Sequence, residues 1–149
     1  VVEFVDDRCP DGKSMAKPCM EAREADGNVR IVFKEFPILG PESDFAAKAA
    51  LAAERQGKYL DFHMALMTHK GQLGNDTVLA IAGDIGIDVE KLRKDMADPA
   101  IVEMIRRNIE LAGTLKITGT PAFIVGERLI PGAVAMDEMM AVINAERKS

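Results

Sequence analysis

The sequence predicts an α/β fold whose sheet is interrupted along the chain by a long all-helical segment. Apolar, β-branched and aromatic runs typical of buried strands occur towards the two ends of the chain, whereas the middle has helical periodicity. The first two such runs enclose a helical segment within about 36 residues, which is typical of a βαβ unit with parallel strands. The predicted order is therefore βαβ, a block of helices, then ββα.

The N-terminal unit begins with strand-like residues at Val1–Asp6 and returns to them at Val29–Phe36. Between them Cys9–Ala25 is predicted to be helical, and Asp26–Asn28 is a turn signal that ends the helix. Pro37 closes the unit. We therefore expect the two strands to be parallel and joined by a right-handed crossover.

The middle of the chain is predicted to form four or five helices. The predicted ranges are Phe45–Gln56, Tyr59–Lys70, Asp76–Asp84, a run from Asp88 to Met96 and a run from Asp98 to Lys116. Ser43 or Asp44 can cap the first helix, and Gly57 follows its end. Pro99 stands in the first turn of the last helix, where its missing N–H group is harmless.

The last third of the chain returns to strands. Pro121–Val125 and Arg128–Ile130 flank Gly126-Glu127 and predict an antiparallel hairpin. Met136–Glu146 follows as an amphipathic helix. The apolar side of that helix is predicted to carry Met136, Met139, Met140 and Ile143.

Length and composition set limits on the class of protein. We predict one domain, residues 1–149, with a core at 1–40 and 117–149 and a helical insertion at 43–116; this length suffices for a core without disulfides. The net charge of −5 and the lack of a basic cluster argue against a nucleic-acid partner. Charged residues interrupt each apolar run before it reaches membrane-spanning length. The strand-like start at Val1 predicts a mature segment that has lost a leader.

Cys9 is the residue most suggestive of chemistry, because it lies where the first strand gives way to a helix. Unpaired N–H groups and the helix dipole favour a thiolate at that position. Asp11, and Asp6 and Asp7 if they lie close, would oppose the thiolate, whereas two basic neighbours would favour it. The residues alone leave the sum of these effects open.

Several segments resemble the DsbA family of bacterial thiol-disulfide oxidoreductases, particularly the branch of copper-sensitivity suppressor C proteins. They are Glu3-Phe4 before Cys9-Pro10, Phe33–Gly40, Gln56–Tyr59 and Gly119–Phe123. The resemblance implies a thioredoxin-like fold with a helical insertion and a periplasmic or exported location. The partners it implies are protein thiols and disulfides as substrates, glutathione or a membrane redox partner, and further copies of the chain in an oligomer formed through an N-terminal extension.

The resemblance assigns roles to individual residues. Cys9, Gly12 and Pro121 form the catalytic set, with Cys9 as the nucleophile and Gly12 where the family has its second cysteine. Pro10, Asp11 and Thr120 become substrate contacts, and the Thr120–Pro121 bond is expected to be cis and to face Cys9. Without the resemblance, Pro121 is an ordinary trans-proline at a strand's first residue.

For each remaining residue of interest, the sequence either leaves two interpretations open or favours a purely structural role. Glu3 either transfers protons near Cys9, as the resemblance implies, or points to solvent from its strand. Cys19 lies about 15 Å along the same helix from Cys9, too far for a disulfide, and is predicted to be a small buried residue. His63 and His69 are predicted to lie at the surface or the edge of the core, and we predict no cofactor and no metal site.

Three functions therefore remain open from the sequence. The first is thiol-disulfide exchange through a mixed disulfide at Cys9, impaired or monothiol because Gly12 supplies no thiol. The second is a catalytically degenerate module that binds protein or peptide. The third is glutathione-transferase-like chemistry, for which no particular residue argues.

Overall fold

The computed structural model describes residues 1–148, which form four strands and seven helices. The strands are β1 (Val2–Val5), β2 (Val32–Glu35), β3 (Ala122–Val125) and β4 (Arg128–Pro131), and the helices are α1 (Pro10–Asp26), α2 (Pro41–Glu54), α3 (Tyr59–Thr68), α4 (Asn75–Asp84), α5 (Val89–Met96), α6 (Pro99–Thr114) and α7 (Met136–Arg147). The predicted order of elements is confirmed, with boundaries that differ by a few residues.

The strands form one mixed sheet in the order β2-β1-β3-β4. β1 pairs with β2 in parallel and with β3 antiparallel, and β3 and β4 form the predicted hairpin. Phe4 lies on the face that packs towards α6, while Phe123 lies on the opposite face with α1 and α7. Helices therefore cover both faces at β1, so residues of either parity in this strand are buried.

The helical block between β2 and β3 has a core of its own. Its centre is α2, whose buried alanines let α3, α4, α5 and α6 approach closely. Phe62, Leu66 and Leu92 fill the space between these helices and are fully buried. The division of the chain into a core and an insertion nevertheless stays a prediction.

The predicted start of α2 is wrong. The helix begins at Pro41 rather than Phe45, and neither Ser43 nor Asp44 caps it. Gly40 precedes it with φ 95, a left-handed value that favours glycine, and Pro41 occupies the first helical position. By contrast, α5 and α6 begin within one residue of the predicted starts, and Asp88 and Asp98 cap them, each accepting a hydrogen bond from a backbone N–H group of the first turn.

The apolar side of α7 packs as predicted. Met139 and Ile143 are buried against α1 and the sheet, and Met136 and Met140 pack around them. Among residues 1–148, no helix combines the length and the apolar character needed to cross a membrane.

Candidate functional site

Cys9 is the N-cap residue of α1. It has extended backbone angles, its N–H group donates to the Asp6 carbonyl at 3.0 Å, and Pro10 follows at the first helical position. The side chain is 8% exposed, whereas Pro10 and Asp11 are exposed beside it. The thiol thus lies just below the surface at the positive end of a helix of 17 residues.

The loop before β3 lies directly against this thiol. Cys9 Sγ donates a hydrogen bond to the carbonyl oxygen of Thr120 at 3.2 Å, although 111 positions separate the two residues. The Thr120–Pro121 peptide bond is cis, and Pro121 is fully buried. The structure therefore brings together the two segments that the sequence placed at opposite ends of the chain.

Gly12 completes the first turn of α1 and is buried. A Cβ atom at this position would lie 3.8 Å from the Cβ atom of Cys9 and 3.1 Å from the terminal methyl group of Met67. A side chain on residue 12 would therefore lie beside Cys9, and the tip of Met67 would have to shift to admit it.

Glu3 is buried rather than exposed to solvent, so that reading of the sequence is wrong. It is 4% exposed because it lies in β1, a central strand covered on both faces. The pKa of the Glu3 carboxyl is raised to about 7, chiefly by burial, an effect that the nearby His63 opposes and the charge of Asp7 reinforces. The carboxyl can therefore gain or lose a proton near neutral pH.

This raised pKa makes stability depend on pH. The unfolded chain loses the Glu3 proton near pH 4.5, while the folded protein holds it to about pH 7. The stabilisation from the protonated group is complete below pH 4.5 and is lost as the pH rises through 7. We expect Glu3→Gln to remove this loss, which amounts to at most about 3 kcal/mol. Urea unfolding at acid and mildly alkaline pH, with a chelator present, measures it.

The control for this experiment is Glu127→Gln, because Glu127 is exposed. That variant should follow the parent's pH dependence throughout. A Glu3→Gln variant that loses stability between the two pH values as the parent does would show that the pKa of Glu3 is the same in the folded and the unfolded protein.

Asp6 anchors the loop that precedes Cys9. One carboxylate oxygen accepts from the N–H group of Arg8 and the hydroxyl of Ser43, both at 2.8 Å. The other accepts from the N–H groups of Ile38 at 2.8 Å and Leu39 at 3.0 Å. This carboxylate ties the Cys9 loop to the loop between β2 and α2, a role that the sequence analysis missed.

A second group of buried polar residues was also missed. His63 is 2% exposed, so its predicted place at the surface or core edge is wrong. Its Nδ1 atom lies 3.4 Å from Asp7 Oδ1, and Tyr59 donates to Glu35 at 2.6 Å in the same region. The sequence offered one signal, namely that charged residues stand in or directly after apolar strands.

Cys19 behaves as predicted. It is 6% exposed, packs in the apolar cluster between α1, α7 and the sheet, and is not in a disulfide. Burial, followed by the nearby Glu3, raises the pKa of its thiol to about 12. It is therefore a poor nucleophile, since the thiolate is the reactive form.

Comparison with known proteins relates this geometry to a family. Residues 1–144 match the DSBA-like thioredoxin domain. A thioredoxin-like oxidoreductase from Silicibacter pomeroyi is 42% identical over 99% of this chain and 86% of its own, with a TM-score of 0.96. The thiol-disulfide exchange protein alpha-DsbA2 from Wolbachia pipientis is 33% identical over 97% and 79% of the two chains, with a TM-score of 0.89.

The curated relatives include much longer proteins. The Na(+)/H(+) antiporter NhaA 1 of Salinispora arenicola is 29% identical over 148 residues, which are 97% of this chain and 22% of the antiporter. The chain thus spans about a fifth of the length of that relative.

Proposed function

Because the chain belongs to the DSBA-like thioredoxin domain family, we propose that it catalyses thiol-disulfide exchange with Cys9 as the attacking thiol. The observation that carries the proposal is the 3.2 Å contact between Cys9 Sγ and the Thr120 carbonyl. A thiol at a helix N-terminus is favoured as thiolate, and the adjoining loop offers backbone groups to an extended peptide. The substrates are protein thiols and disulfides.

The exchange proceeds through a mixed disulfide. The Cys9 thiolate attacks one sulfur of a substrate disulfide, an S–S bond forms to Cys9, and the other substrate sulfur leaves as a thiolate. Gly12 stands where the family has its resolving cysteine and supplies no thiol. An external thiol such as glutathione then attacks the mixed disulfide and releases Cys9, so the protein acts as a monothiol.

The other site residues either hold the substrate in position or transfer a proton. Pro10 and Asp11 are exposed beside Cys9 and contact the substrate, and Thr120 presents its backbone. Glu3, with its raised pKa, accepts or returns a proton as the thiol ionises. The compartment is periplasmic or exported, because disulfides persist in oxidising surroundings.

Oxidised glutathione tests the nucleophile directly. We expect intact mass to show one glutathione on the parent, located at Cys9 by peptide mapping and removed by dithiothreitol. Cys9→Ser should lose the adduct completely. Cys19→Ser is the matched control and should keep it, since the Cys19 thiol is buried with a raised pKa. An adduct on Cys19, or none on either residue, would contradict the proposal.

A binding module without chemistry is the second candidate, favoured by the absence of a thiol at Gly12. In that case the surface around Thr120 would hold a peptide non-covalently. Capture of a thiol-free unfolded polypeptide that is equal for the parent and Cys9→Ala would support this candidate, whereas capture that requires a cysteine in the bait supports covalent exchange.

A further inference from the structure

Asp7, Glu35 and His63 form a buried polar cluster that thiol exchange at Cys9 does not use. Each is at most 2% exposed, and one potential ligand atom from each lies within 4.8 Å of the others. Both oxygens of Asp7, Oε1 of Glu35 and Nδ1 of His63 have no hydrogen-bond partner within residues 1–148. Buried polar atoms are normally paired, so these four atoms require a partner.

The spacing of the atoms suits a metal ion better than a hydrogen bond. His63 Nδ1 and Asp7 Oδ1 are 3.4 Å apart, longer than a usual N–H···O bond. Two ligands at 2.0–2.2 Å from a tetrahedral zinc ion are themselves about 3.4 Å apart. The pair therefore already has the separation of two zinc ligands, and an oxygen of Glu35 lies within 4.8 Å of both atoms.

The charge of the region also calls for a cation. Glu3 is buried on the same side of the sheet as Glu35, because Glu3 pairs with Phe33, two positions before Glu35. Asp7 adds a third buried carboxyl group, and among the described residues the only buried basic side chain is the imidazole of His63. A divalent ion could take the place of the protons on two carboxyl groups, since buried charges are tolerated when they are bound to metal.

The groups around the cluster hold its atoms in place. Tyr59 donates to Oε2 of Glu35 at 2.6 Å and leaves Oε1 free. The His63 ring is stacked on Tyr59 with an interplanar angle of 8° and lies 4.4 Å from the Phe33 ring. Such outer contacts orient metal ligands in known sites. A surface cavity of about 350 Å³ lies beside Phe33 and Tyr59, the two rings that contact His63.

We propose that Asp7, Glu35 and His63 bind one divalent transition-metal ion, with zinc as the best match. Imidazole and carboxylate ligands suit zinc, and cobalt(II) can replace it as a spectroscopic probe. The ion would join the loop before Cys9, the end of β2 and helix α3. It would therefore stabilise the scaffold that positions the thiol, independently of whether the thiol is active.

The competing explanation is a proton shared between Asp7 and Glu35. Burial, followed by the charge of Asp7, raises the pKa of Glu35 well above its ordinary value, so a protonated pair is chemically reasonable. In that case the cluster would bind no metal, and zinc would leave the melting temperature unchanged.

The test uses the full chain with Cys9→Ser and Cys19→Ser, so that thiols cannot bind the metal. After treatment with chelator, zinc and cobalt chloride are titrated separately by calorimetry, and the cobalt absorption spectrum is recorded. We expect one ion per chain and a melting temperature that rises with zinc concentration. Asp7→Asn and His63→Gln should each weaken binding at least about 100-fold.

Two controls separate loss of the site from loss of the fold. His69→Gln changes the other histidine, which is half-buried, and should bind zinc like the parent. Asp7→Asn removes one of two neighbouring carboxylates, so without metal it should melt at or above the parent's temperature. A parent that binds no zinc, or an Asp7→Asn variant that binds it as tightly, would overturn the proposal, and neither result bears on thiol exchange at Cys9.

Discussion

Replacing Gly12 with cysteine should produce a protein that forms an internal disulfide with Cys9 and reduces insulin far faster than the parent. A Cβ atom on residue 12 would lie 3.8 Å from the Cβ atom of Cys9, which equals the mean separation in protein disulfides. A resolving thiol on the same turn acts at a much higher effective concentration than an external one. We therefore expect at least about a 100-fold faster release of mixed disulfides.

The main obstacle to this substitution is Met67. Its terminal methyl group lies 3.1 Å from the position of the new Cβ atom, and a flexible methionine side chain can move away at modest cost. Gly12→Ala is the matched control, because it adds the same Cβ atom without a thiol. It should fold like the Gly12→Cys variant and show the parent's activity in the insulin turbidity assay.

Two measurements distinguish formation of the disulfide from redox activity towards a substrate. Thiol titration of Gly12→Cys should show that two thiols disappear on oxidation and return with dithiothreitol. If the disulfide forms but insulin reduction stays at the level of Gly12→Ala, the surface around Thr120 does not admit redox substrates. That result would favour the binding module over the enzyme.

The order of elements could be predicted because its signals are local. Asp88 and Asp98 cap their helices with their own side chains, and the turn at Gly126-Glu127 joins two adjacent strands. Each signal lies within a few residues of the feature that it specifies. The contact between Cys9 and Thr120 is different, since 111 positions separate the residues and only the family resemblance suggested it.

The start of α2 shows how a distant partner overrides a local signal. Ser43 is a good capping residue, yet its hydroxyl donates to the buried carboxylate of Asp6 across 37 positions. With Ser43 placed inside the helix, the turn at Gly40 and the proline at position 41 set the boundary instead. The local sequence around Ser43 does not indicate where Asp6 lies in the folded protein.

The buried charges were missed for a related reason. A glutamate in a strand usually marks a solvated face, but β1 is covered by helices on both sides, so Glu3 is buried. His63 and Asp7 are 56 positions apart along the chain, and they meet only after α3 packs beside the sheet. Sequence periodicity reports which residues share a face, and it does not report which faces are later covered.

Asp6→Ala should be among the most destabilising single substitutions in this protein. The change removes the acceptor of three backbone N–H groups and of the Ser43 hydroxyl, and it leaves the hydroxyl buried and the three N–H groups partly buried. Each unsatisfied buried donor costs about 1–3 kcal/mol. Because some donors will reach water after the loop relaxes, we expect a total loss of about 3–5 kcal/mol, measured by urea unfolding.

Ser43→Ala is the matched control for this carboxylate. It removes one donor and leaves the three backbone bonds to Asp6 intact, so the loss should be about 1 kcal/mol. The loop that Asp6 holds carries Cys9, so Asp6→Ala should also loosen the contact with Thr120 and raise the rate at which iodoacetamide labels Cys9. Equal stability losses in the two variants would mean that the backbone N–H groups find other acceptors, and that the Cys9 loop keeps its place without the carboxylate.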